Sequence, residues 1–252
     1  MGYMELMTEA ENIAKLGELV DLQLRKHKSA LDNVFDIEDG FIKTHWMDSC
    51  IDRIKENSES AKMLKERYLG SEIKLDELLK LPKDSLGFTY GKVMSTMGLD
   101  PHFYRDRQIE NDGDYITMRV RQTHDFHHII SGFDMMVGEG ATISLPVTQI
   151  GYPGYLLIEL VALTLASFGL RKARADDQFA KAAEKKGAGI FFDSIVAGVS
   201  MGRKANSIFG YKFEENLETP LEEVRKALNI VPKKEGAFSW YQDPKLKDLG
   251  LS

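Results

Sequence analysis

Three of the chain's six histidines fall within residues 123–128. At about 100° per residue in a helix, His124 and His128 lie about 40° apart on one face, one turn from each other. Their Cβ atoms are then about 6 Å apart, which suits two imidazoles that bind one metal ion. His127 points to another side of the helix, where it is expected to pack or to be solvated. Such a pair also occurs where both histidines only pack or hydrogen-bond, and the pattern alone leaves this alternative open.

Two carboxylates near the histidines could complete a metal site. Asp125 is three residues before His128, so it could bind the ion directly or orient one of the histidines. Glu139 follows His128 by eleven residues, which is about 16 Å along an unbroken helix and too far for one ion. Gly132 and Gly138 predict a break, so that Glu139 could begin a second helix that folds back. Alternatively, Glu139 is a solvated acid at a helix N-terminus, where the helix dipole stabilises it.

The composition excludes several classes of protein. The chain of 252 residues has 33 basic and 39 acidic residues and a net charge of −6, so a broad nucleic-acid-binding surface is not expected. Its single cysteine, Cys50, allows no internal disulfide. The first twenty residues contain four glutamates and one lysine. This composition matches neither a secretory signal nor an Arg-rich transit peptide. The sequence therefore predicts a cytoplasmic protein with no nucleic-acid partner.

The spacing of apolar residues predicts a protein made almost entirely of helices. Period-two alternation is weak, with strand-like traces only at residues 115–120 and 207–213. We therefore predict an all-α fold, with an N-terminal helical extension over residues 1–70 and a single helical domain over residues 71–252. The predicted helices cover residues 4–29, 39–63, a short segment within 66–81, 88–97 ending at Gly98, 115–130 capped by Asp114, 155–169, a charged segment 171–186, 190–200 before a basic turn at Arg203 and Lys204, and 221–228.

The longest apolar run, residues 155–169, is the one segment that raises the question of a membrane. It is about one turn too short to cross a bilayer, and it contains Glu159. A buried core helix is the simplest interpretation, and the protein is expected to be soluble or attached to a membrane surface.

The motif around the histidines resembles that of a known family. His124-Asp125-x-x-His128 followed by Gly138-Glu139 is similar to the metal motif of the Coq-four family of ubiquinone-biosynthesis proteins, which is His-Asp-x-x-His, eleven residues and Glu. Residues 81–90, 115–125, 149–154, 202–205 and 220–225 resemble neighbouring segments of the family, so the likeness covers about residues 75–231. This chain has ten residues between His128 and Glu139, and Pro146 falls where the family has an unbroken helix.

The resemblance implies a helical domain that binds a divalent cation through His124, Asp125, His128 and Glu139. Zinc is the first candidate, and manganese, iron or magnesium would also suit this set of ligands. The family further implies binding of a polyprenyl quinone precursor, and oxidative decarboxylation and hydroxylation at ring carbon 1 of that precursor. It also implies association with other quinone-biosynthesis proteins at a membrane surface.

Two arginines and two leucines are further candidates for ligand binding. Arg119 and Arg121 precede the histidines by one or two turns and could meet an anionic headgroup, although ion pairs within the protein are the commoner role. Leu160 and Leu163 of the apolar run could line a groove for the prenyl tail, and core packing is the alternative.

Three functions remain open from the sequence. The first is a metal-dependent enzyme of quinone-ring modification, and the second is a non-catalytic lipid-binding organiser of a quinone-biosynthesis complex with a structural metal. The third is an HD-type phosphohydrolase, suggested by His102 upstream of the His124-Asp125 pair. That class needs a distant aspartate, for which Asp193 is only a nominal candidate. The sequence does not define the oligomeric state, and a homodimer is compatible with it.

Overall fold

The computed structural model describes residues 30–167 and 189–251 of the chain. These residues form ten α-helices and three short 3₁₀ turns, and among them no β-strand occurs, only two isolated bridges. The predicted all-α class is confirmed. The helices are α1 (Ala30–Phe41), α2 (His45–Lys55), α3 (Ser58–Glu66), α4 (Leu75–Leu78), α5 (Leu86–Met97), α6 (Asp112–Ser131), α7 (Glu139–Ile150), α8 (Pro153–Ser167), α9 (Gly189–Lys204) and α10 (Leu221–Ala227).

Helix α6 runs through the middle of the molecule, and all of its residues except Asp112 and Gln122 are buried. Its start differs from the prediction, because the capping residue is Asn111 and not Asp114. The side chain of Asn111 accepts a hydrogen bond from the backbone N–H of Asp114 at 3.0 Å, and the Asp114 carboxylate accepts one from the N–H of Asn111 at 3.2 Å. This reciprocal capping satisfies two otherwise free donors, and it moves the first turn three residues earlier than predicted.

Two apolar clusters pack along α6, one on its C-terminal half and the other on its N-terminal half. Phe126 and Ile130 of α6 pack into a cluster with α5, α10 and Trp240. Ile116 and Val120 of α6 belong to a second cluster, which α2, α3, α7 and the start of α8 complete. Because α6 is covered along its whole length, the polar side chains that it carries are buried with it.

A tight turn sends the chain back from α6 into α7. Gly132 adopts a φ of +79°, and a Cβ there would lie 2.6 Å from the carbonyl oxygen of Lys233. A Cβ on Gly138 would lie 2.4 Å from the backbone nitrogen of Asp134, so this turn requires glycine at both ends. The side chain of Asp134 accepts hydrogen bonds from the next backbone N–H groups of the turn. As predicted, Glu139 begins a second helix that folds back beside α6.

Pro146 lies inside α7 and does not break it, contrary to the predicted interruption. The helix continues to Ile150 and ends at Gly151, whose φ is +67°. Proline removes one intrahelical hydrogen bond, but the close packing of α9 supports this helix. A Cβ on Gly198 of α9 would lie 2.0 Å from the carbonyl oxygen of Ala141 of α7, so the two backbones are in contact there.

Other predicted boundaries also change. The single helix expected over residues 39–63 is divided among α1, α2 and α3, since Asn57 caps a new helix by accepting from Glu59 and Ser60. The strand-like trace at 115–120 is part of α6, and Arg203 and Lys204 form the last turn of α9 rather than a separate turn. The helix ending at Gly98 is confirmed. The predicted helix over 4–29 and the charged segment 171–186 lie outside the described residues.

The region before residue 71 contributes to the same core as the rest. Met47 and Ile54 of α2 and Leu64 of α3 are buried in the cluster that contains Ile116 of α6. Residues 30–70 therefore pack directly onto the helical domain, whereas an extension over residues 1–29 stays a prediction. Within the described ranges, no helix is long and apolar enough to cross a membrane.

Candidate metal centre

His124, His128 and Glu139 meet where the first turn of α7 faces α6. The Nε2 atoms of the two histidines are 3.2 Å apart. Oε1 of Glu139 lies 3.2 Å from Nε2 of His124, and Oε2 lies 3.1 Å from Nε2 of His128. One ligand atom from each residue thus points at a common centre, and the helical break at 132–138 makes this meeting possible.

The other ring nitrogen of each histidine is also fixed by a partner. Nδ1 of His128 lies 3.0 Å from the carbonyl oxygen of Phe133 and 3.0 Å from the hydroxyl of Thr142. Nδ1 of His124 lies 3.3 Å from the hydroxyl of Tyr155 on α8. When Nδ1–H donates to these oxygens, the lone pair of each Nε2 is directed toward the centre, which is the arrangement of metal-binding histidines.

The separations fit the coordination sphere of a small divalent cation. Bonds of about 2.0–2.1 Å in tetrahedral geometry place neighbouring ligand atoms about 3.3 Å apart. The observed separations of 3.1–3.2 Å agree with this within a few tenths of an ångström. Two imidazoles and one carboxylate suit zinc, iron or manganese, whereas magnesium prefers oxygen ligands. Three protein ligands also leave a coordination position for water or a substrate.

Among the described residues, the exposed part of the centre is the side chain of Glu139. His128 is fully buried and His124 nearly so, while 45% of the Glu139 side chain is exposed. A cation or a small anionic group can therefore approach past Glu139 without opening the core around α6.

The three side chains are strongly coupled electrostatically. Burial by itself lowers the pKa of His124, but the charge of Glu139 and its hydrogen bond outweigh burial and raise that pKa to about 9. Burial raises the pKa of Glu139, but the charge of His124 and the hydrogen bonds from both histidines bring it well below its usual range. Glu139 is thus a carboxylate at neutral pH, and a cation that binds here displaces a proton from the imidazole pair.

Asp125, the fourth predicted ligand, is not brought to this centre. On α6 its side chain points about 80° away from the direction shared by His124 and His128. The carboxyl group is buried near Tyr90 of α5, with which it interacts electrostatically, and burial raises its pKa. Asp125 is close enough to affect the histidines by its charge, but the structure brings three ligand residues together and not four.

Arg119 and Arg121 both make ion pairs within the protein. The guanidinium of Arg119 binds both carboxylate oxygens of Glu214, at 2.6 and 3.1 Å. Arg121 donates to Glu38 at 2.8 Å and to Asp39 at 2.7 Å. All but Asp39 of these side chains are buried, so the two arginines join segments of the fold. The arrangement supports this structural role rather than the predicted contact with a headgroup.

The two leucines proposed for a groove have different surroundings. Leu160 is 50% exposed on the outer face of α8, whereas Leu163 packs partly buried beside Val137 and Phe191. Exposed apolar side chains also occur one turn apart on α8 and on the neighbouring α9: Leu156, Leu160, Phe192 and Val196. A groove for a lipid tail stays a prediction.

His102 and Asp193 take no part in the centre. His102 is half-exposed near Asp100, and Asp193 is exposed on α9. Among the described residues, the histidine and carboxylate cluster contains His124, His128 and Glu139 only, so the ligand set of an HD-type phosphohydrolase is not assembled here.

Sequence reasoning missed the residues that orient the ligands. The sequence presents Tyr155 only as the first residue of an apolar run, but its hydroxyl meets His124 because the first turn of α8 lies beside α6. Thr142 follows Glu139 by three residues on the same face of α7, which is a spacing that could have identified it. The indole N–H of Trp240 donates to the carbonyl oxygen of His128 at 3.1 Å, a contact that no local pattern predicts.

Comparison with known proteins identifies the same family that the histidine motif resembles. A model of the family described as coenzyme Q (ubiquinone) biosynthesis protein Coq4 matches residues 41–234. The match covers more than half of the chain. It begins well before residue 75, where the resemblance of the sequence motifs begins. The match contains all three residues of the centre.

Individual relatives give the same result. The chain is 27% identical over 186 residues to the ubiquinone biosynthesis protein COQ4 homolog, mitochondrial, of Rattus norvegicus, covering 72% of this chain and 64% of the rat protein. It is 29% identical over 164 residues to the ubiquinone biosynthesis protein COQ4, mitochondrial, of Zygosaccharomyces rouxii, covering 63% of this chain and 44% of that protein. The matched part thus spans less than two thirds of either relative. Both are named mitochondrial, whereas the sequence predicts a cytoplasmic protein, and the location of this chain stays a prediction.

A solved structure shares the fold. The crystal structure of a Nostoc punctiforme protein, described as a candidate ubiquinone biosynthesis protein, superposes with a TM-score of 0.70 at 23% identity. The superposition covers 86% of this chain and 95% of the Nostoc chain, so the helical architecture is common to both.

Proposed function

This chain belongs to the Coq4 family of coenzyme Q (ubiquinone) biosynthesis proteins, and we propose that it binds a divalent cation through His124, His128 and Glu139 to act on a polyprenylated precursor of the quinone ring. The observation that carries this proposal is the convergence of three side chains: the two Nε2 atoms are 3.2 Å apart, and each carboxylate oxygen of Glu139 lies 3.1–3.2 Å from one of them. We expect zinc first, then iron or manganese.

The chemistry proposed for the site is the one that the family resemblance implies, oxidative decarboxylation and hydroxylation at ring carbon 1: the carboxyl group leaves as CO2, a hydroxyl takes its place, and an external two-electron oxidant accepts the two electrons. A bound divalent cation would supply a Lewis acid for the carboxylate of the precursor. Each carboxylate oxygen of Glu139 faces one of the two imidazoles, and the exposed part of the side chain leaves room for the acidic end of a ligand. Phe133, Thr142 and Tyr155 hold the two imidazoles in fixed orientations, so that the site needs little rearrangement when the ligand arrives.

The metal can be tested directly. We expect one divalent cation per chain in the wild-type protein and none in the His124→Ala, His128→Ala double variant, measured by elemental analysis. His102→Ala is a matched control, since His102 is a histidine outside the centre. Equal metal content in wild type and double variant would contradict the proposal.

A second candidate function is a non-catalytic organiser that presents the prenyl lipid to other quinone-biosynthesis proteins at a membrane surface. The exposed apolar side chains on α8 and α9 favour it, because Leu156, Leu160, Phe192 and Val196 offer a surface that a lipid or membrane could cover. In this case the metal would be structural, and its removal would lower the melting temperature. For an enzyme, the double variant would lose turnover and keep its fold and partners.

Lipid binding has its own test. Leu163→Ala removes part of an apolar wall next to Phe191 without introducing a charge. We expect folded Leu163→Ala to retain less prenyl lipid than wild type in native mass spectrometry. Leu99→Ala, at an exposed leucine after α5, is the control. Full lipid retention by folded Leu163→Ala would place the tail elsewhere.

A further inference from the structure

A cavity of about 540 Å³ lies at the opposite end of α7 from the metal centre. It is bounded by the end of α2, the start of α3 and the last turns of α7 and α9. Thr148, one of its lining residues, follows the ligand Glu139 by nine residues, which is about 14 Å along α7. The cavity is therefore separate from the metal centre, and its volume is in the range of sites that bind small organic molecules.

Two arginines from different helices line this cavity, Arg53 of α2 and Arg203 of α9. Arg53 donates a hydrogen bond from Nη2 to the carbonyl oxygen of Thr148 at 2.7 Å. A Cβ on Gly202, the residue before Arg203, would lie 3.1 Å from the Cβ of Thr148. Both arginines are thus held beside the same residue of α7. Both are exposed, so an ion in solution can reach them without any opening of the core.

The positive charge of the cavity is not balanced by an acid. Among the described residues, no aspartate or glutamate lines it. Within the same ranges, the side chain of Arg203 makes no ion pair or hydrogen bond, and Arg53 bonds to an uncharged carbonyl group. In contrast, Arg119 and Arg121 are both paired with carboxylates. Two guanidinium groups without a carboxylate, in a chain of net charge −6, attract an anion to this cavity.

The carboxyl ends of α7 and α9 border the cavity and would oppose an anion if their carbonyl groups were free. Side chains bind several of these groups instead. Arg53 occupies the carbonyl oxygen of Thr148. The amide nitrogen of Gln149 lies 3.3 Å from the carbonyl oxygens of both Gly202 and Ala205. These hydrogen bonds reduce the negative potential at the two helix ends, and the guanidinium charges then dominate.

Asn57, at the start of α3, adds an uncharged donor to the lining. Its Oδ1 atom accepts hydrogen bonds from the backbone N–H groups of Glu59 and Ser60, at 3.1 and 2.9 Å. Because Oδ1 is engaged by α3, the Nδ2 group is left for another acceptor. Apolar side chains of α7 and α9, Val147 and Val199, also line the cavity, so it offers both charged donors and an apolar surface.

We propose that this cavity binds the phosphate group of a phosphate monoester through Arg53, Arg203 and Asn57, with the organic part beside Val147 and Val199. Such a phosphate carries about 1.5 to 2 negative charges at neutral pH, which matches two guanidinium groups. A carboxylate would leave one positive charge unbalanced. Guanidinium groups also bind phosphate oxygens in pairs. A soluble ester and a lipid headgroup share this chemistry, and the site goes beyond the proposed function because it does not involve the metal.

Phenyl phosphate is the first probe, titrated into the full chain by calorimetry at fixed pH and ionic strength. We expect wild type to bind it, and to bind benzoate at least about tenfold more weakly, because one ion pair is lost. Arg203→Gln should weaken phenyl phosphate by at least about tenfold for the same reason. Lys204→Gln is the matched control, since it removes the same charge from an exposed neighbour that does not line the cavity.

Two further measurements locate the ligand and its source. The backbone amide resonances of Gly202 and Ser207, which line the cavity, should shift when phenyl phosphate is added to wild type and not to Arg203→Gln. Phosphatidylcholine vesicles with and without phosphatidate form the second arm. Binding of phenyl phosphate identifies a soluble ester as a sufficient ligand. Binding of phosphatidate vesicles alone, if Arg203→Gln abolishes it, identifies a lipid headgroup as the source and also supports the site.

Three results would overturn the inference. The first is a wild-type protein that binds neither phenyl phosphate nor phosphatidate vesicles. The second is an equal loss in Arg203→Gln and Lys204→Gln, which would assign the binding to general surface charge. The third is equal affinity for benzoate and phenyl phosphate. Melting curves confirm that the variants are folded, and Arg203→Gln breaks no side-chain contact among the described residues. None of these results bears on the metal centre, which the metal content of the histidine variants tests.

Discussion

The hydroxyl of Tyr155 holds His124 in the orientation that a metal ligand needs, and removing it gives a sharp test of the centre. Among the described residues, Nδ1–H of His124 has one oxygen within hydrogen-bonding distance, the hydroxyl of Tyr155 at 3.3 Å. In Tyr155→Phe the buried donor loses its partner, which costs about 1–3 kcal/mol. Loss of a hydrogen bond that orients a metal-binding histidine lowers metal affinity about 10- to 100-fold. We therefore expect this loss for zinc in Tyr155→Phe.

His128 provides an internal comparison. Its Nδ1 has two acceptors, the carbonyl oxygen of Phe133 and the hydroxyl of Thr142, each at 3.0 Å. Thr142→Val removes one of them and leaves the other, so we expect a loss of only about twofold. Tyr152→Phe is the control for a lost buried hydroxyl, because Tyr152 bonds to Glu38 and Thr117 and not to a histidine.

The assay is competition between the protein and a chelator for zinc, at fixed pH and salt. Cobalt-substituted protein adds a spectroscopic check, since a reoriented imidazole changes the visible absorption of the ion and a purely structural effect does not. Wild-type affinity in Tyr155→Phe, or an equal loss in Tyr152→Phe, would refute the reasoning that links Tyr155 to His124.

Three further predictions follow from the same geometry. Glu139→Gln should lower the zinc affinity far more than Asp125→Asn, because only Glu139 reaches the histidines; equal losses in the chelator assay would restore Asp125 as a ligand. Glu159 has a folded-state pKa of about 7 against 4.5 in the unfolded chain, so the folded state binds the extra proton, and stability should fall by about 3 kcal/mol as pH rises from 4.5 to 7. Glu159→Gln should remove this slope in denaturant titrations, and an unchanged slope would mean that Glu159 ionises normally. Gly132→Ala places a side chain at positive φ and against the backbone of Lys233, so it should lower the free energy of unfolding by at least about 1 kcal/mol; a neutral result would show that the turn is adaptable.

Local sequence determined the helical class and the histidine pair. A spacing of four residues puts His124 and His128 on one face of any helix, and Gly98, Gly132 and Gly138 mark breaks because other residues do not fit those backbone conformations or contacts. The likeness around this motif also identified the family, which the match over residues 41–234 confirms. These features depend on residues near one another in the chain, so periodicity and turn chemistry are sufficient to predict them.

Tertiary packing decided which of the candidate residues meet. Asp125 has the right type and spacing for a ligand, but the packing of α5 against α6 buries its carboxyl group near Tyr90, away from His124, His128 and Glu139. Arg121 could have met an anionic ligand, but α1 places Glu38 within 2.8 Å of it. Tyr155 reaches His124 only because the first turn of α8 packs beside α6. Such contacts join residues that are 31 to 83 positions apart, and their formation depends on how whole helices pack, which no local pattern encodes.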